Sequence, residues 1–327
     1  MAFVIYGAGA IGGVLGARLH SAGFDVKLIA RGAHLAAIRS SGLRVESPEG
    51  ATTVPVPTYG SPSEAGVGPG DVVILTMKGQ DTPDALEALR EVAGPSTPVV
   101  CIQNGVANER LALRLFSHVY GVCVMFPAAH VQPGVVQARS APVPGILDIG
   151  RYPGGIDDGA RSVAAALVKA GFVSEPREDI MRWKYRKLIM NLGNAVAALC
   201  GPGDDGAKQV TALLQAEGES VLATAGIDVV DAGLDQERRG DILRMPQFEG
   251  RAPSGSAVQS LLRGTGSIEA DYLNGEIVLL ARLHGVEAPG NELVRQLAVV
   301  AARERVAPGS VPSGELLEKL SGVISRR

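Results

Sequence analysis

A chain of 327 residues, 46% hydrophobic and 20% charged, is long enough for two domains that each bury a core. Its net charge of −3 and pI near 6.0 provide no basic field for nucleic acid, and no apolar run reaches the length of a bilayer span. The three cysteines, Cys101, Cys123 and Cys200, lie in apolar segments without metal-ligand spacing and read as reduced core residues, so no metal is expected.

The chain opens on Phe3-Val4-Ile5-Tyr6, a strand-like run, and passes through Gly7-Ala8-Gly9-Ala10-Ile11-Gly12 into a helical stretch to about Ala22. It returns to apolar alternation at Val26-Lys27-Leu28-Ile29. In that context a glycine hexad binds a dinucleotide: Gly7 permits the tight turn, Gly9 the close approach of a pyrophosphate, and Gly12 helix–strand packing. A second copy, Gly201 to Gly206, follows a helical segment and carries two acids, so it reads as a helix stop and loop. The second strand ends in Ile29-Ala30-Arg31 without the acid that usually holds an NAD ribose. Arg31 is either a phosphate ligand, which makes NADP the cofactor, or a solvated surface residue. Because the first strand begins almost at Met1 and leaves no room for a leader, the expected location is the cytoplasm.

Residues 32–70 suggest a helix and short strands, and Asp71 to Lys78 a buried parallel strand. Ligands gather at the carboxyl ends of such strands, so Lys78 either meets the cofactor or merely caps the strand in water. Pro83 to Ala93 reads as a helix and Thr97 to Ile102 as a strand that runs into Gln103-Asn104-Gly105. Asn104 there either shapes a turn or bonds a ligand. Val119 to Phe126 is a further strand, with short antiparallel edge strands expected between Val135 and Gly150, a helix over Asp157 to Ala170, and a last strand at Phe172-Val173-Ser174. Of the five histidines only His130, just past a strand, lies where a cleft is expected.

Near Glu178 strands give way to helical patterns. The expected organisation is an α/β class chain: an N-terminal Rossmann-type doubly wound parallel sheet over residues 1–178, then a mostly α-helical domain over 179–327. Its first helix should start at Asp179, an N-cap residue, and run to Cys200 before Gly201-Pro202. Lys187, Asn191 and Asn194, spaced i, i+4, i+7, form a polar stripe on an otherwise apolar helix. Either a polar substrate or neighbouring backbone satisfies it. Lys184 reads as the solvated lysine of this helix and Trp183 as packing. Further on, Ser267 suits an N-cap and Glu269 the first turn of the next helix. The apolar helices at Ile277 to Leu283 and Leu293 to Val300 suit either a core or a homodimer face.

Taken together, the hexad with Arg31, Lys78, the Gln103-Asn104-Gly105 turn, Lys187 followed by Asn191, and Glu269 with Asp271-Tyr272-Leu273-Asn274-Gly275 resemble ketopantoate reductase (2-dehydropantoate 2-reductase), over nearly the whole chain. The resemblance implies NADPH-dependent reduction of 2-dehydropantoate to (R)-pantoate. It implies Lys187 as general acid, Glu269 as the carboxylate that orients it, Asn191, Asn194 and Ser256 as substrate ligands, and Asn104 as a contact on the nicotinamide side. Arg31 and Lys78 then hold the adenosine phosphate. Two positions depart from the family pattern: Asn194 follows Asn191 by three residues instead of four, leaving Ala195 in the usual place, and Ser260 replaces an acid. Both touch substrate contacts, so a related reductase of another 2-keto acid and a non-catalytic NADP-sensing protein are the alternatives.

Overall fold

The structure, a computed structural model, describes residues 1–201, 203–252, 255–264 and 266–324. It resolves into two compact units, Met1–Lys184 with Ala232–Ala252, and Tyr185–Asp231 with Pro253–Arg327.

The first unit runs β1 (Phe3–Tyr6), α1 (Ala10–Ser21), β2 (Val26–Ile29), α2 (Gly32–Ser41), β3 (Leu43–Ser47), β4 (Gly50–Val54), β5 (Thr58–Tyr59) and β6 (Val72–Leu75). It continues through α3 (Thr82–Arg90), β7 (Val99–Cys101), α4 (Asn108–Leu113), β8 (Val119–Met125), β9 (Ala128–Gln132), β10 (Val135–Ala138), β11 (Ile146–Arg151) and α5 (Asp158–Lys169). Seven strands form one sheet in the order β11-β8-β7-β6-β1-β2-β5, parallel except for the edge strand β11. Adjacent residues of each strand enter different cores. Phe3, Ile5, Leu28 and Ile74 join α1 and α5 on one face, whereas Val4, Ile29, Val73 and Leu75 join α3 and α4 on the other. Burial on both faces is why these strands read as unbroken apolar runs.

Three expectations for this unit are corrected. Of the strands expected between Val135 and Gly150, only β11 closes the main sheet; β10 lies in a separate four-stranded sheet, β4-β3-β10-β9, and pairs with β3 in parallel. Residues 172–174 form no strand, because Val173 makes only an isolated bridge to Ile146. The strand expected to reach Lys78 stops at Leu75, since the Thr76 hydroxyl donates to Gly7 O (2.7 Å) and turns the chain toward the glycine loop.

α6 (Ile180–Asn191) crosses from the first unit into the second, which holds α7 (Gly193–Cys200) and α8 (Asp205–Thr224). The following segment returns to the first unit with α9 (Ala232–Arg239). There Arg238 grips buried Asp148 through two bonds of 2.7 and 2.8 Å, and the Gln137 amide pairs with Gly250 O and Ala252 N. The second unit ends with α10 (Ser256–Leu262), α11 (Asn274–Leu283), α12 (Pro289–Arg303) and α13 (Ser313–Ile324). α11 and α12 bury Ile277, Val278, Leu280 and Val294 in its core, leaving Leu279, Leu283 and Val300 outside.

The helix expected from Asp179 to Cys200 is interrupted at Leu192. Leu192 N–H donates three residues back to Ile189 O, and its own carbonyl accepts from Asn274 Nδ2 (3.1 Å). That i to i−3 bond replaces the i to i−4 bond of the ladder, so α6 ends at Asn191 and α7 begins at Gly193 with Leu192 as its N-cap. Asp204 caps α8 through Ala207 N after Gly201 has taken positive φ, as the helix-stop reading expects; Pro202 lies outside the described residues. Glu269 opens a short 3-10 turn over Glu269–Tyr272 that follows Ile268, so Ser267 caps no helix, and the α-helix starts only at Asn274.

Candidate active site

In the first unit every cofactor candidate follows the carboxyl end of a parallel strand. The glycine loop follows β1, Arg31 follows β2, Lys78 follows β6 and Asn104 follows β7. Gly7 has φ +108, and a Cβ there would stand 2.8 Å from Met77 N. Gly12 is tighter, since a Cβ on it would stand only 2.3 Å from both Gly7 O and Thr76 Oγ1. Gly9 differs from both, since nothing lies within 4 Å of its missing side chain. That opening stands at the start of α1, which has no side-chain cap and no acid in its first turn. Uncapped N–H groups beside open space fit a pyrophosphate. Ala8 and the loop backbone are fixed by Gly7 N and Ala8 N donating to Ile29 O, and Ala10 and Ile11 begin the helix.

Arg31 is exposed, precedes α2 and lies 3.6 Å from Asp81, while Lys78 is half-buried before a 3-10 turn at Gly79–Asp81. The Asn104 turn is braced from several sides. Gln103 Nε2 donates to Met77 O (2.8 Å) and to Thr82 Oγ1 (2.9 Å), and Asn108 Nδ2 donates to Asn104 O (3.2 Å). Lys184 supplies another brace, contrary to its expected solvation. It is buried, 2.8 Å from Glu109 Oε1, and donates to Gln103 O (2.9 Å) and Val122 O (3.1 Å). Gly121 makes room for the pair, because a Cβ there would meet Glu109 Oε1 at 3.3 Å and Lys184 Cδ at 3.2 Å. Sequence reasoning missed Glu109 altogether; an acid in the first turn of the helix after a strand-end Asn-Gly was the available signal. Burial, with the Glu109 charge beside it, pushes the Cys101 thiol well above its usual range. His130 pairs with His34, whose Nε2 lies 2.7 Å from Ala8 O.

In the second unit a pocket is lined by Asn194, Ser256, Glu269 and Asn274 together with apolar side chains. Three residues expected at the substrate, distant in sequence, therefore share one wall. Lys187 is half-buried and Asn191 buried on α6, and neither belongs to this lining. The interruption at Leu192 separates them from Asn194, which rides on α7, so the expected single stripe is divided between two helices. Ser260 Oγ donates back to Ser256 O (2.8 Å), which occupies its hydroxyl locally. Asn274 stands in the sequence only as part of a motif, with nothing there to signal its burial.

Known proteins match most of the chain. A family model described as ketopantoate reductase PanE/ApbA matches residues 3–154, and the model of its C-terminal part matches residues 179–301. The 2-dehydropantoate 2-reductase of Pyrococcus horikoshii is 33% identical, over 95% of this chain and 100% of that protein. That of Halobacterium salinarum is 29% identical, over 93% and 100%. A solved PanE/ApbA family ketopantoate reductase from Ralstonia eutropha JMP134 superposes with a TM-score of 0.77 at 28% identity, covering 93% of this chain and 99% of that one. A D-mandelate dehydrogenase solved with NADH and anilino(oxo)acetate shares the fold, with a TM-score of 0.79 at 23% identity over 94% and 100%.

Proposed function

The chain belongs to the ketopantoate reductase family, and from that premise we propose that it reduces 2-dehydropantoate to (R)-pantoate with NADPH. It is an oxidoreductase of pantothenate synthesis, and its place of work is the cytoplasm. The observation that carries the substrate reading is the pocket that gathers Asn194, Ser256 and Glu269 from three separate elements.

When bound, the nicotinamide supplies the hydride; the rest of the chemistry falls to side chains of this protein. The N–H groups at the start of α1, beside Gly9, would hold the pyrophosphate, and Arg31 and Lys78 would hold the adenosine phosphate, a pair of cations that would favour NADP. As hydride reaches the ketone carbon, negative charge grows on oxygen. The Lys187 ammonium stabilises that charge and gives it a proton, an interaction stronger in the transition state than in the ground state. Glu269 orients the ammonium. Asn191, Asn194 and Ser256 hold the substrate, and Asn104 supports the nicotinamide side.

A reductase of another 2-keto acid is the second reading. Its support is Ser260, an uncharged residue bonded to its own helix where the family carries an acid. Following NADPH oxidation with 2-dehydropantoate and a panel of other 2-keto acids decides. Turnover confined to 2-dehydropantoate is the expected result; turnover of a different acid selects the second reading, and none at all leaves a protein that binds the nucleotide without using it.

A further inference from the structure

Asn274 is fully buried, lines the substrate pocket, and has one polar atom left over. Its Nδ2 donates to Leu192 O (3.1 Å) and to Asn291 Oδ1 (3.0 Å), so both amide hydrogens are used. Those partners cannot be exchanged by flipping the amide. Asn291 is itself fixed, because its Nδ2 donates to Leu214 O (3.1 Å) and Glu217 Oε2 (2.8 Å), which leaves only its Oδ1 to face Asn274. Glu217 in turn accepts from Gly290 N and Asn291 N. From a carboxylate and two backbone carbonyls the direction of every hydrogen in the chain follows.

The consequence is that Asn274 Oδ1 is a committed acceptor that no donor among the described residues meets. Leaving such an atom unsatisfied costs about 1–3 kcal/mol. Asn194 and Ser256, which share the wall, carry amide or hydroxyl groups able to turn between donor and acceptor roles. Asn274 has no such freedom and accepts only.

We propose that Asn274 is a specificity-determining residue whose Oδ1 receives the primary hydroxyl of the keto acid. This rests on the reductase reading above. Of the polar groups on 2-dehydropantoate, the carboxylate and the ketone are acceptors only; the primary hydroxyl alone can donate. A 2-keto acid without that hydroxyl leaves Oδ1 unpaired in a buried wall. Sites that hydrogen-bond a substrate hydroxyl reject the analogue lacking it strongly, because the protein group is then stranded.

The test compares kcat/KM for 2-dehydropantoate and for 3,3-dimethyl-2-oxobutanoate, which differs only by lacking the hydroxyl, in the wild-type enzyme and in Asn274→Ala. The wild type should favour the hydroxylated acid by about 10²-fold or more, and the variant should lose most of that ratio. A purely structural role would depress both substrates equally and keep the ratio, overturning the proposal. Should Asn274→Ala not fold, Asn274→Ser replaces it with the same two outcomes. A wild type that reduces both acids equally well overturns the proposal while the reductase reading stands. A wild type that reduces only unrelated keto acids overturns both.

Discussion

Lys184 and Glu109 form an ion pair of 2.8 Å with almost no solvent access to either side chain. The ammonium also serves two backbone carbonyls, at Gln103 and Val122, but Glu109 Oε2 has no hydrogen-bond partner among the described residues. A buried pair that is incompletely satisfied adds little net stability, whereas removing one partner strands a charge. Lys184→Met should therefore cost about 3–5 kcal/mol in chemical denaturation. The double variant Lys184→Met, Glu109→Leu should recover most of that loss. A single variant as stable as the wild type would show that the carboxylate is neutral or hydrated in the folded protein.

Lys184 also marks where sequence reading stops. Apolar runs exposed the main sheet because strands buried on two faces have a pattern of their own, and the glycine hexad identified itself through the strand before it and the helix after it. Lys184 sits among arginines and a tyrosine with nothing local to announce Glu109, which arrives from another helix, or Gly121, which vacates the space. The second sheet was invisible for a similar reason: Val136 pairs with Val45 across a long stretch of chain, and neither strand is long enough to declare its partner. The interruption at Leu192, whose carbonyl meets an amide from Asn274, has no local mark in an apolar run of good helix formers. Asn194, Ser256 and Glu269 stand out through the family pattern; spacing alone gives Asn194 a helix face, gives Glu269 only a place in a first helical turn, and gives Ser256 nothing.

Two glycines of the hexad, Gly12 and Gly9, predict opposite consequences for fold and ligand. Gly12→Ala puts a methyl 2.3 Å from Gly7 O, and backbone cannot give way cheaply, so the variant should lose about 1–3 kcal/mol or more of stability. A Cβ at Gly9 would meet nothing within 4 Å, so the thermal midpoint of Gly9→Val should stay near that of the wild type. Its NADPH affinity, followed by fluorescence titration, should nevertheless fall sharply, because the side chain fills the space read as the pyrophosphate cradle. Undiminished affinity in Gly9→Val would place the cofactor elsewhere.

Arg31 is the test of cofactor choice. Its side chain is 79% exposed and its nearest acid, Asp81, is 3.6 Å away, so stability should not depend on it. A charge-assisted bond to a 2′-phosphate is worth about 1.5–3 kcal/mol. Arg31→Ala should raise the dissociation constant for NADPH roughly 10- to 150-fold and leave that for NADH nearly unchanged. Equal effects on both nucleotides would mean that Arg31 does not read the 2′ position.

Lys187→Ala separates the two lysines of α6. A positioned general acid contributes roughly 10²–10⁴-fold, so turnover should fall by about that factor while NADPH binding and the denaturation midpoint hold. Lys184→Met should show the reverse emphasis, with stability lost first. Wild-type turnover in Lys187→Ala would remove it from the mechanism.

His34 ties stability to pH through the glycine loop. Its Nε2 must donate to Ala8 O (2.7 Å), while its Nδ1 accepts from Gly134 N–H (2.9 Å), a pattern open only to the neutral ring. Burial lowers its pKa below the ordinary 6.5, outweighing the raising effect of the Ala8 carbonyl. As pH falls through 6.5 the unfolded chain takes up a proton that the folded chain refuses, so unfolding gains. This contribution is fully present above about pH 6.5 and declines below it until the folded pKa is reached. Thermal midpoints should accordingly fall from pH 7.5 to 5.5. His34→Gln, which can still offer an N–H to Ala8 O, should show a shallower decline over the same range, and an identical slope in the two proteins would assign the acid sensitivity to other groups.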